Sequence, residues 1–96
     1  MKALVYYGNK DIRLEQNWPD PKLKNDDDAI LKINFTGICA TDIEEWQYGP
    51  LWIQTNTSNP LSGKKAPLVM GHEISGVVDS VGDINHQKLI GDVSIF

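Results

Sequence analysis

Apolar and polar positions alternate in several short stretches of the chain, and a period of two is typical of half-buried β-strands. Residues 1–7 are apolar and aromatic, and the turn residues Gly8 and Asn9 follow them. Residues 12–16 alternate between apolar and polar side chains. The two stretches therefore predict a β-hairpin at the start of the chain.

A longer alternating strand is predicted from Ala29 onward. Leu31, Ile33 and Phe35 fall on one of its faces, and polar residues fall between them on the other. We expect the apolar face to line the core together with valines of residues 77–81, because alternate side chains of a strand share one face. Truncation of Phe35 should then be strongly destabilising.

A short helix and a long loop are predicted in the middle of the chain. Thr41 and Glu44 have the spacing of a capping box, with Thr41 as the N-cap and Glu44 reaching back. A helix from Asp42 to about Gln47 should follow. Residues 49–66 are rich in Gly, Pro, Asn, Ser and Thr, and loops of this length are often functional.

The remaining pattern is again that of strands. Residues 68–81 are largely apolar and are interrupted by Gly71 and Gly76, which predicts bulges or a close backbone approach. Residues 90–96 predict a last strand. Five or six short strands with one helical turn indicate a mainly β protein and favour a small β-barrel.

Composition and charge narrow the possible partners. The chain has 96 residues, enough for one domain, with 41% hydrophobic and 23% charged residues and a net charge of −4. Its single arginine and lack of a basic patch argue against nucleic acid and anionic membranes as partners. Its apolar runs are too short to span a bilayer, so we expect a cytoplasmic protein. The acidic run at residues 26–28 is interpreted as a solvated turn rather than a cation site.

Three residues offer metal-binding chemistry. Cys39, the only cysteine, stands at the start of the predicted helix, where a thiolate is stabilised. His72 and Glu73 lie between two glycines in an otherwise apolar stretch. Thiolate, imidazole and carboxylate together are suitable zinc ligands. From spacing alone, Cys39 as a small buried residue and His72 as a satisfied polar residue remain alternatives. His86 is interpreted as a surface loop residue.

Several segments resemble one enzyme family. The stretches "GICATDIEEW" and "APLVMGHEISGVVDSVG", with the leading "MKALVYYGNKDIRLEQ" and the closing "IGDV", are similar to the N-terminal catalytic domain of the zinc-dependent medium-chain dehydrogenases. The loop "YGPLWIQTNTSNPLSGKKAP" resembles the 2,3-butanediol dehydrogenase branch, near the sorbitol and threonine dehydrogenases. The resemblance implies a GroES-like, partly open β-barrel with a short helix near residues 42–47.

The resemblance also implies roles for five residues. Cys39 and His72 would be ligands of a catalytic zinc, and Glu73 would be a direct ligand or the acidic neighbour that tunes the metal. Thr41 matches the hydroxyl that relays the substrate proton. Glu44 would stand at the outer end of the relay, where the family often has a histidine, so the relay would titrate differently.

Other departures concern residue type and length. Ala40 replaces the usual glycine, and one residue is missing around Gly91 and Asp92 relative to the family pattern. The resemblance implies that residues 1–96 are the front of the catalytic domain, without the structural-zinc cysteines, the last zinc ligand or the dinucleotide-binding domain. No Gly-x-Gly-x-x-Gly stretch occurs, so a nicotinamide cofactor would need a full-length protein. The chain would be a separate domain, a truncated gene product or half of a split protein.

The implied reaction is reversible hydride transfer between a small secondary alcohol or vicinal diol and NAD(P). We expect the 96-residue chain alone to bind zinc weakly or not at all, to be inactive, and to self-associate through uncovered strand edges. One alternative is a non-enzymatic orphan module with a relict zinc site that acts in binding or assembly. A co-chaperonin is a further alternative, but that function would not explain why the zinc-site segments occur.

Overall fold

A computed structural model describes residues 1–95 of the chain. This part of the chain contains one α-helix, one 3-10 helix and six strands. The elements are β1 (Ala3–Gly8), β2 (Asp11–Glu15), β3 (Ala29–Gly37), α1 (Ala40–Tyr48), β4 (Leu68–Val69), β5 (Glu73–Val81), the 3-10 helix (Ile84–Leu89) and β6 (Val93–Ile95). The predicted mainly β class with one short helix is confirmed. Among the described residues, neither helix is long and apolar enough to cross a bilayer.

The described chain falls into two compact units. The first unit consists of residues 1–19 and 38–71, and it contains β1, β2, α1, the long loop and β4. The second unit consists of residues 20–37 and of the chain from residue 72 onward, and it contains β3, β5, the 3-10 helix and β6.

The first unit is built on a three-stranded antiparallel sheet in the order β2-β1-β4. The predicted hairpin is confirmed, since β1 pairs with β2 from Ala3 opposite Glu15 onward. Val5 and Tyr6 are both fully buried. Because consecutive side chains of a strand point to opposite faces, β1 is covered on both faces at this point. This strand therefore forms the centre of the unit.

The second unit is a three-stranded antiparallel sheet in the order β3-β5-β6. Gly37 at the end of β3 pairs with Glu73 at the start of β5. Gly76 is buried, and a β-carbon at this position would collide with the main-chain carbonyl of Lys32. The close backbone approach predicted at Gly76 is thus confirmed.

The predicted burial of the apolar face of β3 is wrong for two of its three residues. Phe35 is 78% exposed and Ile33 is 45% exposed, whereas Leu31 is half-buried. The pairing of β3 with β5 shifts its register twice, between Ile30 and Leu31 and between Ile33 and Phe35. A shift of this kind inserts an unpaired residue, so side chains beyond it no longer continue the simple alternation of faces.

The apolar stretch at residues 68–81 is two strands rather than one. β4 pairs with β1 in the first unit, and β5 pairs with β3 in the second. Gly71 lies at the break with a φ of 113°, a conformation that residues with a β-carbon rarely adopt. The break between β4 and β5 therefore lies at Gly71, one of the two glycines that interrupt the apolar pattern.

The predicted last strand is shorter than its pattern. Its regular part is β6, and Phe96 lies outside the described residues. The 3-10 helix (Ile84–Leu89) precedes β6 along the chain. This helix begins after Asp83, and the Asp83 carboxylate accepts the amide hydrogen of Asn85 at 2.9 Å. His86 is exposed on this helix, as predicted for a surface residue.

Candidate functional site

The helix α1 begins earlier than its sequence pattern predicts. Cys39 is its N-cap, and the carboxylate of Asp42 accepts the amide hydrogen of Cys39 at 3.0 Å. The predicted cap made by Thr41 and Glu44 is wrong, because Asp42 supplies the carboxylate that reaches back to the cap. The half-buried Cys39 consequently stands directly at the positive end of the helix dipole, which favours a thiolate.

Thr41 and Glu44 are therefore residues of the helix itself. Both side chains are exposed, and Thr41 lies in the first turn of α1, two residues after Cys39. Neither makes the cap that the spacing predicted. Their placement leaves Thr41 near the thiol-bearing end of α1 and Glu44 one helical turn further along.

Glu73 is the first residue of β5, His72 directly precedes the strand, and both are exposed. The Glu73 side chain folds over the end of β3: its Oε2 atom is 2.9 Å from the position that a β-carbon on Gly37 would occupy. Gly37 thus makes the space that the carboxylate fills. The lack of a side chain at residue 37 sets where this carboxylate can lie.

Cys39, His72 and Glu73 each offer one ligand atom to a metal ion. A thiolate, an imidazole and a carboxylate are the donor types that zinc takes in catalytic sites, where three protein ligands leave one position open. The chemistry of this donor set therefore fits zinc. Hard cations such as Mg²⁺ would instead require a set composed of oxygen atoms.

Glu45 is a buried residue that the sequence gives no reason to single out. Its side chain is 2% exposed, and its carboxylate accepts hydrogen bonds from three consecutive main-chain amides of the following loop. The distances are 3.0 Å from Leu51, 3.0 Å from Trp52 and 2.9 Å from Ile53. Because all three donors belong to the main chain, no pattern of residue types announces them.

The main chain of Glu45 is also engaged. Its carbonyl oxygen accepts hydrogen bonds from the Tyr6 hydroxyl at 3.3 Å and from the Gly49 amide at 2.9 Å. Burial, and secondly the negative charge of Glu45, raises the pKa of Tyr6, which keeps its hydroxyl a donor. A β-carbon on Gly49 would collide with the Glu45 carbonyl and lie 2.6 Å from the Tyr6 oxygen. Only glycine fits at this position.

The predicted long loop is confirmed between α1 and β4. Its first half surrounds an open cavity of about 420 Å³. The lining residues are Pro50, Leu51, Ile53, Gln54, Thr55, Asn56 and Thr57. None of them is charged, so the wall of this cavity consists of apolar groups, amides and hydroxyls.

Residues 25–95 match the alcohol dehydrogenase GroES-like domain family. The match includes β3, α1 and β5, and therefore all five residues to which the sequence assigns a role. The mainly β fold described above is the fold of that family.

Two characterised relatives show the same likeness over nearly the whole chain. An (R,R)-butanediol dehydrogenase of Saccharomyces cerevisiae is 36% identical over 93 residues, covering 96% of this chain and 24% of that protein. A sorbitol dehydrogenase of Mus musculus is 37% identical over 90 residues, covering 94% of this chain and 22% of that protein. The chain thus spans about a quarter of the length of these relatives.

A solved structure agrees with the sequence comparison. The crystal structure of 2R,3R-butanediol dehydrogenase from Bacillus subtilis superimposes with a TM-score of 0.87 at 35% identity. The likeness covers 98% of this chain and 26% of that protein.

Proposed function

The chain belongs to the alcohol dehydrogenase GroES-like domain family, and on that premise we propose that it forms part of the catalytic domain of an NAD(P)-dependent alcohol or diol dehydrogenase. The observation that carries the proposal is the donor set of Cys39, His72 and Glu73. The relatives that support the substrate class act, by their names, on butanediol and sorbitol. We therefore assign this site a small secondary alcohol or vicinal diol.

The connectivity of the chain supports a shared metal site. Gly37 and Glu73 are paired in the ladder between β3 and β5, and Glu73 covers Gly37. Cys39 follows Gly37 by two residues, which limits their Cα separation to roughly 7 Å. His72 directly precedes Glu73. All three donors thus lie within two residues of a single ladder pair.

Each proposed site residue has a distinct role. Cys39, His72 and Glu73 would hold the zinc, and the chemistry that a bound zinc ion supplies is polarisation of an alcohol or carbonyl oxygen. The Thr41 hydroxyl would accept the proton of the substrate alcohol and pass its own proton outward. Glu44 would receive a proton at the outer end of this relay.

The nicotinamide cofactor would be bound by residues outside this sequence. The 96 residues contain no Gly-x-Gly-x-x-Gly stretch with which a strand–helix unit could bind its pyrophosphate. We therefore expect no hydride transfer by the 96-residue chain alone, and weak zinc binding by three ligands. We also propose that this chain self-associates through the outer strands of its two sheets, because unpaired strand edges are templates for further pairing. Its cytoplasmic location stays a prediction from the sequence.

Metal titration of the purified chain tests the proposal. We expect one zinc or cobalt ion per chain, lost in Cys39→Ser and in His72→Ala and retained in His86→Ala, which changes the exposed histidine of the 3-10 helix. Affinity should fall in acid, because the thiolate and the imidazole must both be deprotonated to bind. Stoichiometric binding that survives both ligand substitutions would overturn the proposed site. A chain that binds no metal would favour the non-enzymatic module.

A further inference from the structure

Among the described residues, Glu45 is the buried charged side chain. Burying a carboxylate away from water is costly unless hydrogen bonds replace its hydration. Here the main-chain amides of Leu51, Trp52 and Ile53 replace it. These three hydrogen bonds hold the Glu45 carboxylate and the loop segment 51–53 in place, because a movement of either one would break the bonds of both.

The end of α1 that carries Glu45 is attached to the β1–β2 hairpin as well. The Lys10 amide donates to the Trp46 carbonyl at 2.7 Å, and the Asn9 side-chain amide donates to the Gln47 carbonyl at 3.2 Å. Tyr6, from the centre of the sheet, donates to the carbonyl of Glu45 itself. The C-terminal half of α1 is therefore attached to the hairpin, and Cys39 stands at the opposite end of the helix.

A helix of nine residues is a stiff rod about 13 Å long. Any rotation or tilt at its attached half is therefore carried to its N-cap. Glu45 carries the buried attachments, through its carboxylate and through the carbonyl that accepts from the Tyr6 hydroxyl. Asn9 and Lys10 are exposed, and water can replace their hydrogen bonds. The orientation of α1 therefore depends most on Glu45.

We propose that Glu45 is a positioning residue: its carboxylate fixes α1 against the loop segment 51–53 and thereby sets the position of the Cys39 thiol at the other end of the helix. The inference rests on the proposed function, because the position of this thiol matters to that function only as a zinc ligand. Glu45 does not itself touch the metal or the substrate.

Glu45→Gln is the informative variant. It keeps the shape of the side chain but replaces one acceptor oxygen with a donor that faces main-chain N–H groups. In the metal-free chain we expect several-fold faster alkylation of Cys39 by iodoacetamide, because the half-buried thiol becomes more accessible. In the cobalt-loaded chain we expect affinity to fall by about tenfold or more and the thiolate-to-cobalt absorption to weaken, as for other residues that orient metal ligands.

Val5→Ala is the matched control, since it truncates a fully buried side chain of the same unit that no site role involves. It should lower stability, and it removes none of the hydrogen bonds that Glu45 makes. If Glu45 only stabilises the fold, Glu45→Gln and Val5→Ala should show the same alkylation rate and cobalt affinity when they are compared under conditions of equal stability. Equal alkylation rates and equal cobalt affinities in Glu45→Gln and Val5→Ala would overturn the inference.

Tyr6→Phe provides a second and milder variant in case Glu45→Gln does not fold. It removes only the hydroxyl that donates to the Glu45 carbonyl, and it keeps the aromatic ring in the core. We expect alkylation of Cys39 to become faster and cobalt affinity to fall, each by less than in Glu45→Gln. Parent-like values for both measurements would contradict the inference. If the parent chain binds no cobalt through Cys39, the proposed zinc site fails, while the alkylation rates still decide whether Glu45 positions the thiol.

Discussion

The carboxylate of Glu73 occupies the space that a side chain on Gly37 would fill. Its Oε2 atom lies 2.9 Å, and its β-carbon 3.3 Å, from the position of a β-carbon on residue 37. The two residues are also directly opposite each other in the ladder between β3 and β5. A methyl group on residue 37 therefore displaces the flexible end of Glu73 before it displaces any backbone.

Gly37→Ala should for this reason weaken metal binding while the fold persists. We expect unchanged circular dichroism and a loss of zinc or cobalt affinity of about tenfold, the usual effect of moving a group that binds or orients at a metal. Isothermal titration measures the affinity. Thr36→Ala, an exposed neighbour on the same strand, is the control and should bind metal as the parent does. Parent-like affinity in Gly37→Ala would show that Glu73 takes no part in the site.

Phe35→Ala should change stability little. Its side chain is 78% exposed, and substitutions at exposed positions usually change the free energy of unfolding by less than about 0.5 kcal/mol. Val5→Ala should cost about 2 kcal/mol, because a fully buried side chain leaves a cavity. Urea unfolding of the two variants compares these free energies. A Phe35→Ala variant as unstable as Val5→Ala would mean that another surface covers Phe35 in solution.

Self-association should depend on β6, one of the two outer strands of the sheet β3-β5-β6. Val93 and Ile95 are 73% and 82% exposed on this strand. Val93→Lys and Ile95→Lys place charges along the edge, which opposes pairing with a second copy. In sedimentation velocity over a range of concentrations, we expect the parent to form dimers and the variants to remain monomeric. Leu61→Lys, which changes a 97% exposed loop residue, should leave the dimer intact.

Asp28 should make the fold sensitive to acid. Hydrogen bonds from the main-chain amides of Lys24 and Asn25, at 2.9 and 3.0 Å, hold the pKa of its carboxyl below its ordinary value. A folded-state pKa below the unfolded one stabilises the fold at neutral pH. That stabilisation is lost as the pH falls below about 4 and through the lowered folded value.

Asp28→Asn should consequently lower the Tm at neutral pH and reduce the further loss of Tm in acid. Thermal melts at pH 7 and at lower values measure both effects. Asp27→Asn removes the same charge from the same turn and is the control. Identical pH profiles for the two variants would mean that the amide hydrogen bonds of Asp28 do not matter to stability.

The elements that depend on local pattern were predictable, and those that depend on main-chain partners were not. The hairpin, β3, the short helix and the long loop follow from alternation, turn residues and composition. The cap of α1 was misplaced because Asp42 offers the same chemistry as Glu44 two residues earlier, and spacing alone does not rank them.

Phe35 illustrates a second limit. Alternation gives the face of a residue only while the register is regular, and the shift between Ile33 and Phe35 leaves no mark in residue types. The zinc ligands are a different case: Cys39 and His72 are ordinary residues by spacing, and their predicted role came from resemblance. Glu45 escaped notice because an acidic residue on a short helix is normally exposed.

The carboxylate of Glu45 has a consequence for spectroscopy. The amides of Leu51, Trp52 and Ile53 belong to a segment without regular secondary structure, yet each is bonded to a buried acceptor. Amide hydrogens exchange with solvent deuterium only when such bonds open. Three consecutive slowly exchanging hydrogens should therefore stand out within a rapidly exchanging loop, and an observer without coordinates would assign them to a strand. Deuterium labelling would show the protection typical of a sheet in a segment that contains no strand.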